Sequence, residues 1–175
     1  MEVRFISDLH FNHEAMAEKR GFSNVNDMNE KIISKWNKSV NKRDLIYILG
    51  DVTFKDEKSF KYLNYLKGKK HLILGNHESK KHIKMLLNYI DSLSGPIRFR
   101  KKYWLSHIPI HPNELYGSIN IHGHIHDDLI TKMEWDYISK EEKVTIDNRY
   151  INVCCEQFKI DYSPKTLLEL GIEEI

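Results

Sequence analysis

Residues 45–51 read Leu-Ile-Tyr-Ile-Leu-Gly-Asp. Five apolar residues in a row are too few for a helix, and they are closed by glycine and preceded by the polar break Asn41-Lys42-Arg43-Asp44. Such a run reads as a strand covered on both faces, the kind found in parallel sheets. Two other stretches read as strands. Val3-Arg4-Phe5-Ile6 alternates loosely and runs into Asp8-Leu9-His10, and the buried run His71-Leu72-Ile73-Leu74 leads into Gly75-Asn76-His77-Glu78. Helical spacing fills the gaps between them. Asn26 or Asp27 can cap a helix carrying Met28, Ile32, Ile33 and Trp36 to about Val40. Phe60, Leu63 and Leu66 mark a second helix stopped by Gly68, and 80–87 a third.

Beyond this point strands dominate. Residues 97–100 and 103–106 read as short strands about a basic turn, and Ile119–His122 as another, ending in Gly123-His124. Residues 127–142 are polar and charged, an irregular excursion or a short hairpin. Residues 143–146 and 150–155 look like a strand pair turning at Asp147-Asn148. Ser163-Pro164 opens a predicted helix over 163–170, with Gly171 as its stop. The order implies an α/β protein with parallel pairing at its centre and a β-rich second half. No repeat or linker divides it, so 1–175 reads as a single domain.

Composition narrows the function. The chain has 175 residues, 41% hydrophobic and 30% charged, ordinary for a globular protein. Its net charge of +2 gives no indication of nucleic-acid binding, and Lys67, Lys69 and Lys70 read as a solvated turn. Cys154 and Cys155 are adjacent, too close for an unstrained bridge, so they read as reduced, buried and intracellular. No signal peptide or membrane span is expected, which makes the expected location cytoplasmic.

The histidines stand out, ten in 175 residues. Five groups with ligand chemistry follow predicted strands: Asp8-x-His10, Gly50-Asp51, Gly75-Asn76-His77-Glu78, Ser106-His107 and Gly123-His124-x-His126. Loops beyond the carboxyl ends of parallel strands are where α/β proteins bind ligands. Residues two apart in extended backbone project to one side, so Asp8 with His10, and His124 with His126, can each chelate from one direction. The mixed oxygen and nitrogen set suits Mn²⁺, Fe, Zn²⁺ or Ni²⁺, and it lacks the thiolates of a structural zinc site. Asp51 can bridge two ions, which together can clamp a phosphate and activate water. His77 is the candidate proton donor. His13 reads either as a site residue or as a helix cap, and His71, His82, His111 and His122 as structural or surface histidines.

Taken in order, these motifs resemble the calcineurin-like metallophosphoesterases, specifically a small single-domain branch found in bacteria and phages. The resemblance covers 1–126 and extends to the rest. It implies a four-layer αββα sandwich of two mixed β-sheets flanked by helices. It also implies two divalent metals, manganese first, with Fe, Zn or Ni as alternatives. One would take Asp8, His10, Asp51 and His126, the other Asp51, Asn76, His107 and His124. Asn76, His77 and His13 would touch the substrate, with His77 as the acid. The chain departs from the protein-phosphatase pattern at Phe54 and Lys55, where an acidic residue and an arginine are usual. Lys55, Arg98 or His13 would then have to contact the phosphate. The implied activity is hydrolysis of phosphomonoesters or phosphodiesters, small or nucleotide-like, at a site with no cap domain. A nuclease on the same core and a non-catalytic metal-binding scaffold are the alternatives. Neither metal identity nor oligomeric state is readable.

Overall fold

The computed structural model describes all residues except 55, 80, 81 and 173–175. β1 (Val3–Ile6), β2 (Leu45–Ile48), β3 (Lys69–Ile73) and β4 (Ser92–Ser94) form one sheet in that order, every neighbouring pair parallel. Parallel neighbours need crossover connections, which the chain makes with helical segments. α1 (Glu14–Lys19) and α2 (Val25–Ser39) link β1 to β2, a 3-10 helix (Glu57–Tyr65) links β2 to β3, and α3 (Ile83–Leu86) precedes β4. Asn24 caps α2, its side chain accepting from the Asp27 amide.

The second sheet contains β5 (Ile97–Phe99), β6 (Tyr103–Leu105), β7 (Ile119–His122) and β10 (Tyr150–Asn152), in the order β10-β7-β6-β5. Only β5 and β6 are antiparallel. β8 (Thr131–Asp136) and β9 (Glu141–Ile146) form a separate two-stranded hairpin. The two larger sheets share one core. Phe5, Ile6, Ile46, Ile48 and Leu72 from the first meet Tyr103, Leu105 and Ile121 from the second, and α2 adds Met28, Ile32 and Trp36 at four-residue spacing. This is the expected sandwich of two sheets with helices outside, although the first sheet is parallel throughout its named strands.

Four local expectations change. The helix expected at 60–66 is 3-10, as the three-residue spacing of Phe60, Leu63 and Leu66 allows. The predicted helix at 80–87 is represented by α3 alone, and residues 80 and 81 lie outside the described residues. Residues 143–146 and 150–155 do not pair with each other. Asp147 accepts from the Arg149 backbone and guanidinium, and around this turn the chain passes from the hairpin to the second sheet. Residues 163–170 form turns instead of a helix. There the Lys165 backbone pairs with Phe5 on the free edge of β1 (2.8 and 3.0 Å), and tertiary pairing overrides the local helix signal.

Trp36 has no exposed surface, and its indole Nε1 donates to the Lys67 carbonyl at 2.9 Å. Trp36→Ala should lower unfolding free energy by about 3–5 kcal/mol, read from urea denaturation followed by circular dichroism.

Candidate metal centre

The two sheets are joined at a seam. Just past β1, the Ser7 amide donates to Val153 O (2.9 Å) and the Cys155 amide to Ser7 O (3.0 Å). The segment after β10 therefore lies beside the end of β1, while the Val153 amide donates to His122 O at the end of β7 (2.8 Å). The carboxyl ends of β1, β2, β3, β6 and β7 meet on one rim, and the five motif groups meet with them.

They form two clusters. The ligand atoms of Asp8, His10 and His126 all lie within 4.8 Å of one another, as do those of Asp51, His107 and His124. Asn76 joins the second, its Oδ1 2.7 Å from His107 Nε2. Asp51 Oδ2 lies 3.3 Å from His107 Nε2 and 3.9 Å from His10 Nε2, between the clusters. His77 stands at the mouth. Its amide donates to Asp51 Oδ1 (3.1 Å), and its Nε2 is 3.5 Å from Asp51 Oδ2. His13 sits on the rim, 5.4 Å from His10 between ring centroids and stacked on Phe54 at 4.3 Å.

The donor atoms fit divalent cations. Asp8 Oδ2 accepts from Ser7 Oγ (2.6 Å), the His124 amide (2.9 Å) and Cys154 Sγ (3.1 Å). Asp8 Oδ1 and both ring nitrogens of His10 are buried with no hydrogen-bond partner among the described residues. Buried polar atoms are normally satisfied, and a cation would satisfy Asp8 Oδ1 and the His10 Nε2 that faces it at 3.6 Å. Burial opposes charge on Asp8, but His10, His107, the Ser7 hydroxyl and the His124 amide outweigh it and hold the carboxyl well below its ordinary range. His107 Nδ1 faces Leu49 O at 2.8 Å, which turns Nε2 to the site. Gly50, at φ +86, lies so close that a Cβ there would stand 2.6 Å from His107 Nδ1. A Cβ on Gly123 would collide with Ser7 Oγ and Asp8 Oδ2.

Supporting residues stand behind the ligands, and of these Arg20, Glu156 and Gln157 escape the sequence reading. His126 Nδ1 lies 2.5 Å from Glu156 Oε1. Glu156 Oε2 accepts from Arg20 Nη2 (2.6 Å), and the same nitrogen donates to Asp8 O (2.7 Å). Burial raises the Glu156 pKa, but His126 and Arg20 bring it below the usual carboxylate value, so it stays ionised. Asn152 Nδ2 and Gln157 Nε2 both donate to His126 O, at 2.8 and 2.6 Å. Glu78 accepts from the amides of Asp51, Val52 and Gly75, at 3.0, 2.8 and 2.7 Å, and so ties the β2 turn to the β3 turn. Glu156 did carry a signal: it follows an extended run, as Asp8 follows β1.

The remaining histidines lie elsewhere. His122 is buried against Tyr150, and burial lowers its pKa to about 4. His71 bonds Ser92 and Ser94 of the neighbouring strand. His111 Nδ1 accepts from the Asn113 amide. Arg98 packs over Trp104 and bonds Ser118, apart from the clusters, and Lys55 lies outside the described residues.

Comparisons agree with this geometry. The family model for calcineurin-like phosphoesterases matches residues 1–165. An uncharacterized protein of Methanocaldococcus jannaschii is 31% identical over 172 residues, covering 95% of this chain and 87% of its own. The gene 66 protein of Mycobacterium phage D29 is 29% identical, over 73% of this chain and 80% of its own. A crystal structure of a protein of unknown function from Aquifex aeolicus superposes with a TM-score of 0.68 at 25% identity, covering 97% of both chains. Among the described residues, no helix is long and apolar enough to cross a membrane.

Two outcomes follow from the site. In metal-free protein, burial opposes charge on His107, but Asp51, Asp8 and the Leu49 carbonyl outweigh it and raise its pKa to about 9. The stability this proton gives the metal-free fold is fully present below about 6.5 and lost as pH rises through about 9. A cation competes with that proton for Nε2, so affinity should rise about tenfold per pH unit up to about 9 and then level off, as read by chelator competition. Glu156→Gln should weaken divalent-cation binding about 10–100-fold, as read by titration calorimetry, and should also lower the melting temperature, because it leaves the buried Arg20 without its counter-charge.

Proposed function

This chain belongs to the calcineurin-like phosphoesterases, metal-dependent hydrolases of phosphoric esters, and on that premise we propose a dinuclear enzyme acting on small or nucleotide-like phosphomonoesters or phosphodiesters. One observation carries the reading: the Asp51 carboxylate stands between two clusters of ligands, with the unpartnered Asp8 Oδ1 and His10 nitrogens on one side and His107 on the other.

Asp8, His10, Asp51 and His126 would hold one cation, and Asp51, Asn76, His107 and His124 the other. Manganese is the first choice, with iron, zinc and nickel compatible with the same donors. Bound there, such a pair supplies charge neutralisation for phosphoryl oxygens and brings the pKa of water from about 15.7 towards about 7. The protein does the rest. Asn76 points its carbonyl oxygen at the His107 side, which leaves its amide nitrogen to donate to a phosphoryl oxygen. His77 gives the leaving alkoxide its proton. Burial lowers the His77 pKa against the pull of Asp51, so its protonated form is a stronger acid than free imidazolium. His13, brought to about 4 first by burial and then by the nearby His10, His77 and Arg20 side chains, is neutral at pH 7, and its buried Nδ1 has no partner among the described residues. It lines the substrate entrance beside Phe54. That phenyl ring, in place of a carboxylate, fits small esters better than the phosphorylated side chains of proteins.

With Mn²⁺, purified protein should turn over p-nitrophenyl phosphate or bis-p-nitrophenyl phosphate. Asp51→Asn should abolish this activity, and His77→Ala should lower kcat by about 10²-fold or more. A panel of nucleotides, cyclic nucleotides and a single-stranded oligonucleotide in the same assay separates small substrates from polymers. No turnover with Mn²⁺, Fe²⁺, Zn²⁺ or Ni²⁺ on any of them would overturn the proposal.

A further inference from the structure

The hairpin of β8 and β9 has two unlike faces. In its register Met133 lies opposite Val144 and Thr131 opposite Ile146, with Trp135 next along the same face. The other face is polar, with Lys132, Glu134, Lys143 and Thr145 and the ion pair Lys132–Glu134 (2.5 Å). Apolar faces normally turn inward. This one does not: Met133, Trp135, Val144 and Ile146 are 52–62% exposed. At the tip, Tyr137 and Ile138 are 84% and 96% exposed. β8 and β9 pack chiefly on each other, and a lone two-stranded hairpin is marginally stable in water.

We propose that this face is the interface of a homodimer, covered by a second copy of the chain. Area is the first ground. The six residues, each at least half exposed, present on the order of several hundred Å², the upper end of what an ordinary monomer leaves open and approaching the roughly 800 Å² each partner buries in a stable complex.

Self-complementarity is the second ground. A two-fold interface uses one patch on both partners, so the patch must carry both a projection and a recess to receive it. The hairpin is the projection. At its base lies a groove of about 600 Å³, walled by Ile130, Ile146, Ile151, Leu170 and Ile172. A two-fold axis between hairpin and groove would let each copy fill the other's recess.

Analytical ultracentrifugation of the full chain at micromolar concentrations tests this. The expected species has twice the mass of the chain, and Trp135→Glu with Val144→Glu should weaken association at least about 100-fold. Thr145→Lys, on the polar face, should leave the dimer intact. Circular dichroism confirms that each variant folds. Where the double variant does not, hydrogen exchange on the unaltered protein replaces it: protection of the β8 and β9 amides should rise with protein concentration. A monomer at every concentration, or a dimer indifferent to the double variant, overturns the proposal. Phosphoesterase activity plays no part in this readout, so the result is independent of the proposed substrate.

Discussion

The Asp8 carboxylate has no exposed surface, and its two oxygens are treated unequally. Three donors saturate Oδ2, one each from the β1 turn, the β7 turn and the segment after β10. Oδ1 receives none among the described residues. A buried charge left half satisfied costs several kcal/mol unless positive charge stands close by. The rest of the site provides it through His107 and, behind the Asp8 backbone, through Arg20. The ends of two sheets are thus fixed about one carboxylate, and the β1 and β7 turns that reach it bring candidate ligands with them.

Behind the ligands stand two acids that make no cation contact of their own in this reading. Glu78 ties the β2 turn to the β3 turn through three amides, and Glu156 links His126 to Arg20. Ligand side chains placed at strand ends are only as well oriented as the turns that carry them, so these carboxylates set the precision of the centre. The glycines answer to the ligands themselves. Gly50 and Gly123 bring backbone against His107 and Asp8 at distances no side chain would permit.

Much of this was legible in the sequence. The apolar runs at 3–6, 45–49 and 71–74 identified parallel strands because each is covered on both faces. The candidate ligands were legible because each group follows a predicted strand, and the carboxyl ends of strands from both sheets meet on one rim. What stayed hidden depends on pairing between distant segments. The Ser163-Pro164 helix start is a sound local signal, yet Lys165 is drawn to the open edge of β1. The strand pair expected at Asp147 failed because a tight turn does not dictate whether the chain folds back on itself or moves to another sheet. β8 was obscured by its charges, since its alternation of Met133 and Trp135 with Lys132, Glu134 and Asp136 reads as polar on average. Arg20 and Glu156 lie 136 residues apart, and no local pattern pairs them.

Five of the seven candidate ligands, Asp8, His10, Asp51, His124 and His126, have left-handed backbone, with φ between 48° and 73°. For residues with a side chain this conformation costs about 1 kcal/mol each, and glycine alone escapes it. At these five positions the residue that would most relax the chain is therefore the one that cannot hold an ion. A lineage released from selection for catalysis would recover this backbone strain by drifting to glycine only where the side chain is not also buried among partners, as Asp8 and His10 are. Retention of all five side chains in a homologue accordingly marks a centre still under selection, more reliably than retention of the hydrophobic core does.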